Sequence, residues 1–452
     1  MTLSALLKKG LMKNQLLSGG VMANEAPRRD QDPITVWVSC LVPALASALA
    51  ILCLLDQRLD AADETGIGSL DPDSLPSLFD GKTPERPSVA KAQWETHRRA
   101  EILALFERHV YGIAPRDGFE VTVSRQETST LAAWSAQRRV MTVTLNTSQG
   151  SLDFRLTVLM PDDSRGPFPV FLGLHLFDSH QAHPRLGQPW LDPTGDRQGL
   201  ARQEPDWLWQ QVLRRGYAVA TLDAETLAPD HQDGLRSGVH ALFQPNSDSP
   251  PGPHAWGTLA AWAWGLSRAL DVFQGDSHLD ANRVVAIGHS RMGKAALWAG
   301  ALDERFAMVI ANDSGCGGAA LSRRRHGETV AHINRTFPHW FCRQFHTYGE
   351  AEGLLPVDQH QLLALIAPRP LYIASAQEDD WADPLGEYLS AYHASAIWRA
   401  YGLGGLEEPE LSPLNLTQGD VVGYHLRGGK HDLTTFDWMA FLDFADRFLL
   451  PK

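Results

Sequence analysis

Ser290 lies in the run Val284–Lys294, V-V-A-I-G-H-S-R-M-G-K, where an apolar strand turns into a helix. A serine hydroxyl attacks a carbonyl only when the chain presents it on a tight bend beside a base. Gly288 and Gly293 leave room on either side of that bend, and A-A-L-W-A-G continues as a helix whose N-terminus points at the reacting oxygen. The usual elbow is G-x-S-x-G; here Met292 stands in the second glycine's place and the glycine comes one residue late. Such a nucleophile needs a histidine to take its proton and a carboxylate to orient that histidine, in the chain order serine, acid, histidine.

The histidine belongs in a loop between the last strand and the final helix. G-G-K-H-D places His431 there, with Gly428 and Gly429 free to turn the ring inward, and His425 is the second candidate. Two places offer the acid. The loop after the strand Pro370–Ala374 carries Glu378, Asp379, Asp380 and Asp383, of which Asp380 and Asp383 suit helix capping. Asp313, in A-N-D-S-G-C-G-G, ends the strand after the elbow. Asp379 and Asp313 rank nearly level, and both are expected near the ring. Arg291, directly after the nucleophile, either adds charge-assisted donors to a tetrahedral oxyanion, worth about 3 kcal/mol, or forms a salt bridge on the helix surface. Lys294 is one helical turn on and shares that face. Two cations beside a nucleophile suit a substrate with a carboxyl-derived group or many hydroxyls rather than a lipid.

The elements that would position these residues follow in order. Gln93–Val110 has a helical pattern with Ile102, Leu103, Leu105, Phe106 and Val110 on its apolar face. Phe119–Val123, Val140–Leu145 and Phe154–Met160 alternate like antiparallel strands, and Pro169–His175 and Tyr217–Leu222 read as buried strands. The helix Leu259–Phe273 precedes the elbow; after it come a strand at Met308–Ala311, helices at Gln361–Leu365 and Pro384–Ala400, and a closing helix at Thr434–Leu450. Antiparallel strands, then strand–helix repeats around an elbow, predict an α/β-hydrolase: a three-layer αβα sandwich with a mixed, mostly parallel sheet.

Length and composition set the frame. The 452 residues suffice for one large catalytic domain, expected over residues 91–452, behind an N-terminal extension. A net charge of −13, with no basic block beyond Arg323–Arg325, argues against nucleic acid as a partner. Ile34–Leu55 is an uncharged apolar stretch after Arg28 and Arg29, long enough to span a bilayer. Residues 1–55 are therefore expected to be an export segment, a cleaved signal peptide rather than a retained anchor, and residues 56–90 a linker or wrapping arm. Membrane association is expected only if residues 34–55 are kept, and the exported body is expected to be a monomer. Cys316 and Cys342 lie beyond that segment, so a disulfide between them is the expectation for an exported chain. The 14 tryptophans serve core packing or line a sugar cleft. Neither H-E-x-x-H nor C-x-x-C occurs, so no metal and no cofactor is expected.

The motif Gly288-His-Ser290-Arg291-Met-Gly293-Lys294 matches the signature G-x-S-R-x-G-K of the glucuronoyl esterase family of carbohydrate esterases, and the chain resembles that family. The resemblance extends through Asn312–Val330, Phe337–Cys342, E-D-D-W-A-D-P, the late His431 and the N-terminal helix Trp94–Gly112, which is similar to that of bacterial members. It implies hydrolysis of the ester between glucuronic acid on xylan and a lignin alcohol, without a metal. It implies Ser290 as nucleophile, His431 as base and Arg291 as oxyanion stabiliser, with Lys294, Glu328 and Trp381 binding the glucuronate. Many members carry a glutamate where this chain has the shorter Asp313, which raises the weight of Asp379. Fungal relatives carry a cysteine where this chain has His289, so their disulfide to the histidine loop is absent. The partner implied is a glucuronoxylan or lignin–carbohydrate ester. The rival readings are an acetyl xylan esterase or other carbohydrate deacetylase, and a catalytically silent carbohydrate-binding protein. The long polar loop His180–Gln203, with Trp190, is a further candidate wall of the cleft.

Overall fold

A computed structural model describes residues 74–81, 84–163, 165–175, 206–243, 251–411 and 413–450. The expected export segment and the loop His180–Gln203 lie outside the described residues. Among the described residues no helix is long and apolar enough to cross a membrane.

Ten strands form one sheet: β1 (Phe119–Leu131), β2 (Ala136–Thr147), β3 (Gly150–Pro161), β4 (Phe168–His175), β5 (Ala218–Asp223), β6 (Leu279–His289), β7 (Met308–Asn312), β8 (Leu371–Ala376), β9 (Thr417–Gly419) and β10 (Val422–Arg427). Their order is β1-β2-β3-β5-β4-β6-β7-β8-β10-β9. The first three pair antiparallel, as their alternating sequence predicts, and β5 through β10, apart from the short edge strand β9, run parallel. The parallel strands are covered on both faces, which is why β4, β5, β7, β8 and β10 are buried along their whole length and most of them read as apolar runs, β10 with its His425 and Arg427 being the exception. Along β6, Val284 and Ala286 join a core that includes Trp262, Leu266, Ala295 and Trp298. Val285 and Ile287 face the other way, into a second core with Trp438, Phe441 and Leu442. Helices Thr258–Phe273 and Arg291–Leu302 supply the first layer and Thr435–Leu449 the second, giving the expected αβα sandwich.

Register sets the geometry of everything below. Gly288 pairs with Ala311, Asn312 with Ala374, and Ala376 with Arg427. The carboxyl ends of β6, β7, β8 and β10 therefore finish side by side, and the loops carrying Ser290, Asp313, Asp379 and His431 leave the sheet at one edge, where ligands of open α/β sheets bind.

The N-terminal helix is longer than its apolar pattern predicts. It starts at Pro87, a residue suited to a first helical turn, and runs to Tyr111 with π-helical stretches at Trp94–Arg98 and Glu107–Tyr111. Ile102, Phe106 and Val110 are buried as expected, while Leu103 and Leu105 are only partly so. Its end is fastened to the elbow helix: Tyr111 stacks on Trp298 at 4.3 Å and 17°, and the Tyr111 hydroxyl donates to Gly317 O at 2.8 Å. Ahead of the helix, Leu78 and Phe79 are buried, and Gln361 Nε2 donates to Ser77 O at 2.8 Å, so this part of the stretch 56–90 is docked on the sandwich.

Trp298→Ala should remove the indole that joins this N-terminal helix to the elbow helix. A fully buried Trp→Ala change costs about 3–5 kcal/mol, which chemical denaturation with a fluorescence or circular-dichroism readout would register as a much lower midpoint at an unchanged slope.

Candidate active site

Ser290 adopts φ 56°, ψ −128°, a conformation that an L-residue takes only when its surroundings enforce it. Two features do so. The Ser290 amide donates to Asn312 O at 2.9 Å and its carbonyl accepts from Gly293 N at 2.9 Å. A Cβ on Gly288 would lie 2.1 Å from Met292 O, so glycine there is what lets the strand pass under the helix start. The displaced second glycine thus leaves a working turn: Gly293 packs against Ser314, and Met292 is buried in the core.

The two candidate acids separate clearly. His431 Nδ1 donates to Asp379 Oδ2 at 2.6 Å. The cause is backbone pairing that continues past the strand ends: Gln377 N donates to Arg427 O at 2.8 Å and Glu378 N to Gly429 O at 2.9 Å. These bonds carry Asp379 alongside the histidine loop. Asp313 is near the ring as expected, since one nitrogen each of His289 and His431 and one Asp313 oxygen lie within 4.8 Å of one another. Its carboxylate is directed elsewhere: Oδ2 accepts from Arg427 Nη2 at 3.2 Å and Asp432 N at 3.4 Å. Burial and then the charge of Glu387 push the Asp313 carboxyl well above the usual carboxylate range, with Arg427 opposing, so it is poorly suited to stabilise an imidazolium. Of the two candidate acids, Asp379 is the one in hydrogen-bond contact with the His431 ring. His425 is a buried structural ring between Asp437 Oδ1, 2.9 Å from its Nε2, and the Tyr372 hydroxyl, 3.0 Å from its Nδ1.

His431 itself is partly exposed, its ring 4.5 Å from that of His289. His289 is buried and neutral: burial and the neighbouring His431 lower its pKa to about 3, and its Nδ1 lies 2.6 Å from Asn312 Oδ1. His289, Asp313 and His431 are the one group of side chains among the described residues with metal-ligand proximity. An Asp313 oxygen is already taken by Arg427, and His431 Nδ1 by Asp379.

Arg291 forms an ion pair with Asp230, and its guanidinium lies over the rings of Trp340 at 4.9 Å and Phe337 at 5.3 Å. It is not a surface salt bridge, for both partners are largely buried. Asp230 also accepts from His339 Nε2 at 2.9 Å and Trp340 Nε1 at 2.7 Å. Burial raises the Asp230 carboxyl, but the His339 bond and the Arg291 charge prevail and hold it at about 2. Sequence reasoning missed Asp230, which stands in an ordinary polar loop, A-P-D-H-Q; His339 and Trp340 were visible only as part of a longer motif. Lys294 is buried, donates to Ser314 O at 2.6 Å and lies 3.8 Å from Glu328. The Glu328 backbone N–H donates to the Trp381 carbonyl at 2.9 Å, which holds the two residues' backbones together, and the half-exposed Trp381 indole is braced edge-on by His332 at 4.7 Å.

Also unread in the sequence is Glu387, buried beneath the turn after β7. It accepts from Ser314 N, Ser314 Oγ, Gly315 N and Ser375 Oγ at 2.7–2.9 Å. Asp383, by contrast, matches its expected capping place, holding the start of the helix Pro384–Ala400 through Gly386 N, whereas Asp380 caps no helix and its exposed carboxylate lies 2.8 Å from His326 Nε2. The expected Cys316–Cys342 disulfide is absent; both are buried free thiols. A bridge requires the two Cβ–S vectors to converge, and Cys342 Sγ instead faces Arg108 O at 3.7 Å.

Comparison with known proteins agrees with this geometry. The family model "Glucuronyl esterase, fungi" matches residues 208–402. The chain is 40% identical over 368 residues to the carbohydrate esterase MZ0003 of an unknown prokaryotic organism, covering 78% of this chain and 85% of that one. It is 27% identical over 326 residues to a 4-O-methyl-glucuronoyl methylesterase of Podospora anserina, covering 70% of this chain and 58% of the relative. The structure of a glucuronoyl esterase from Solibacter usitatus superposes with a TM-score of 0.70 at 38% identity, over 82% of this chain and 97% of the other. The fold and site define a carboxylic ester hydrolase of the α/β-hydrolase type. More particularly, the chain belongs to the glucuronoyl esterase family of carbohydrate esterases.

Two predictions follow from the carboxylates. Asp379→Asn should lower kcat by about 10²–10⁴-fold, because the imidazole loses the partner that fixes its tautomer, whereas Asp313→Asn should cost far less; parallel steady-state kinetics separate them. Burial raises the Glu387 carboxyl from 4.5 to about 7, against the pull of Ser375, Gly315 and Ser314. The folded state then holds more protons than the unfolded one between those values, so this group's contribution to stability falls as pH rises from about 4.5 to 7. Glu387→Gln should flatten the decline in melting temperature across that window.

Proposed function

We propose that the protein is a serine esterase that hydrolyses the ester between glucuronic acid, with or without its 4-O-methyl group, on glucuronoxylan and a lignin alcohol. One observation carries the reading: the His431–Asp379 pair and the strained Ser290 share a sheet edge with buried Lys294, one helical turn beyond the elbow, which lies 3.8 Å from the largely buried Glu328. An esterase for a small acyl group has no use for a buried lysine and glutamate there, while a uronate ring offers hydroxyls to both.

In the proposed reaction His431 takes the Ser290 proton, held in the right tautomer by Asp379, and Ser290 Oγ attacks the uronate carbonyl. The tetrahedral oxyanion is met by Arg291 and by backbone N–H groups at the start of helix Arg291–Leu302. His431 returns the proton to the departing alcohol, and water, activated in the same way, releases glucuronate from the acyl-enzyme. Lys294 and Glu328 hold the sugar hydroxyls and Trp381 offers its exposed face to the ring. Residues 91–452 carry the catalytic machinery in this reading, and the segment ahead of them from Ser77, including the start of the helix at Pro87, packs with that domain. The uncharged stretch Ile34–Leu55 supports export, with membrane attachment only if it is retained, and a monomer suffices because every residue named comes from one chain.

The test is hydrolysis of benzyl glucuronate beside 4-nitrophenyl acetate, by wild type, Ser290→Ala and Lys294→Ala. Uronate ester activity that is abolished in Ser290→Ala and strongly reduced in Lys294→Ala is expected. Activity confined to the acetate would replace the reading with a carbohydrate deacetylase, and xylan binding without turnover would replace it with a binding protein.

A further inference from the structure

Arg427 is the last residue of β10, is 3% exposed, and has no place in the proposed chemistry, yet its guanidinium is the most heavily bonded group at the site edge. Nε donates to both oxygens of Asp437, at 3.1 and 2.9 Å, in the first turn of the closing helix. Nη1 donates to Gly428 O at 3.2 Å. Nη2 donates to Lys430 O at 2.8 Å, to Asp432 O and to Asp313 Oδ2 at 3.2 Å. Lys430 and Asp432 flank His431, so the carbonyls on both sides of that residue are tied to one planar group. The loop from Gly428 to Asp432 closes around the guanidinium like a noose, with the imidazole projecting outward to Asp379.

We propose that Arg427 is the positioning residue of the reaction. Its fork sets the backbone on either side of His431 and holds the Asp313 carboxylate away from the imidazole, which leaves Nδ1 to Asp379. The assignment rests on His431 being the base. A loop containing two glycines has little stiffness of its own, and a rigid buried cation with five donors in one plane can span acceptors that a lysine's single ammonium cannot. Because Arg427 touches neither Lys294, Glu328 nor Trp381, its loss should leave recognition of the sugar intact.

The variant that tests this is Arg427→Lys, which keeps a positive charge between Asp313 and Asp437 but lacks the fork. Assayed on benzyl glucuronate, kcat should fall about 10²-fold, the cost of a displacement of about 1 Å in a catalytic group, with KM unchanged and the melting transition still cooperative. Should this variant fail to fold, Arg427→Gln combined with Asp437→Asn removes both charges together, and the same split between kcat and KM is expected. Wild-type kcat in either folded variant would overturn the proposal, as would equal losses in kcat/KM arising wholly from KM. His431→Ala serves as the reference: if it is inactive while Arg427→Lys is fully active, only the positioning role fails. Full activity in His431→Ala would instead overturn the reading of the base itself.

Discussion

The carboxyl edge of the sheet buries more carboxylates than it can leave charged and unpaired, and the way each is satisfied decides which side chains remain free for chemistry. Moving an ionised carboxylate out of water costs several kcal/mol unless donors replace the hydration shell. Asp437 receives Arg427, His425 and the cap of the closing helix; Asp230 receives Arg291, His339 and Trp340; Glu387 receives two backbone amides and two hydroxyls. Asp313 is the least well served, with one oxygen bonded and the other buried without a partner. Burial first, and then the charge of Glu387, push its carboxyl well above the usual carboxylate range against the pull of Arg427, which makes it a poor counter-charge for an imidazolium. Asp379, also buried, instead has its Oδ2 2.6 Å from Nδ1 of the partly exposed His431.

The same edge shows which parts of the architecture were legible in the sequence. The elbow could be read because its signal is local: an apolar run, a glycine where strand and helix touch, and a helix that begins at once. The order of antiparallel strands followed by strand–helix repeats was equally local, since period and burial depend on neighbours in sequence. The choice between Asp313 and Asp379 was not. Both close a strand next to the elbow or to the histidine loop, and only two backbone bonds beyond the ends of β8 and β10 bring one of them against the ring. Asp230 and Glu387 were invisible for a similar reason: their work is defined largely by groups far away in sequence, Arg291 for Asp230 and Ser314 and Gly315 for Glu387, and their own surroundings look like an ordinary loop and an ordinary helix start. The cysteine pair misled because spacing and cellular context say nothing about where the sulfurs point.

Charge balance around the nucleophile bears on the proposed reaction as a whole. Arg291 and Lys294 would give the pocket a strongly positive character if they stood alone. Each has a carboxylate instead, Asp230 and Glu328, and both lie against the face of Trp340, which tolerates cations through its ring quadrupole. The substrate of the proposed hydrolysis is an ester with no charge at the scissile carboxyl, whereas the product is an anion. A pocket with two uncompensated cations would hold that anion most tightly and slow its release. Pairing Arg291 with Asp230 leaves the guanidinium oriented and able to meet charge that develops briefly on the oxyanion, where preorganised donors act most strongly, while reducing the attraction for a full carboxylate that must leave. Selective stabilisation of the transition state over the product is what catalysis requires of this corner of the site, and the buried acid behind each cation is how the fold arranges it.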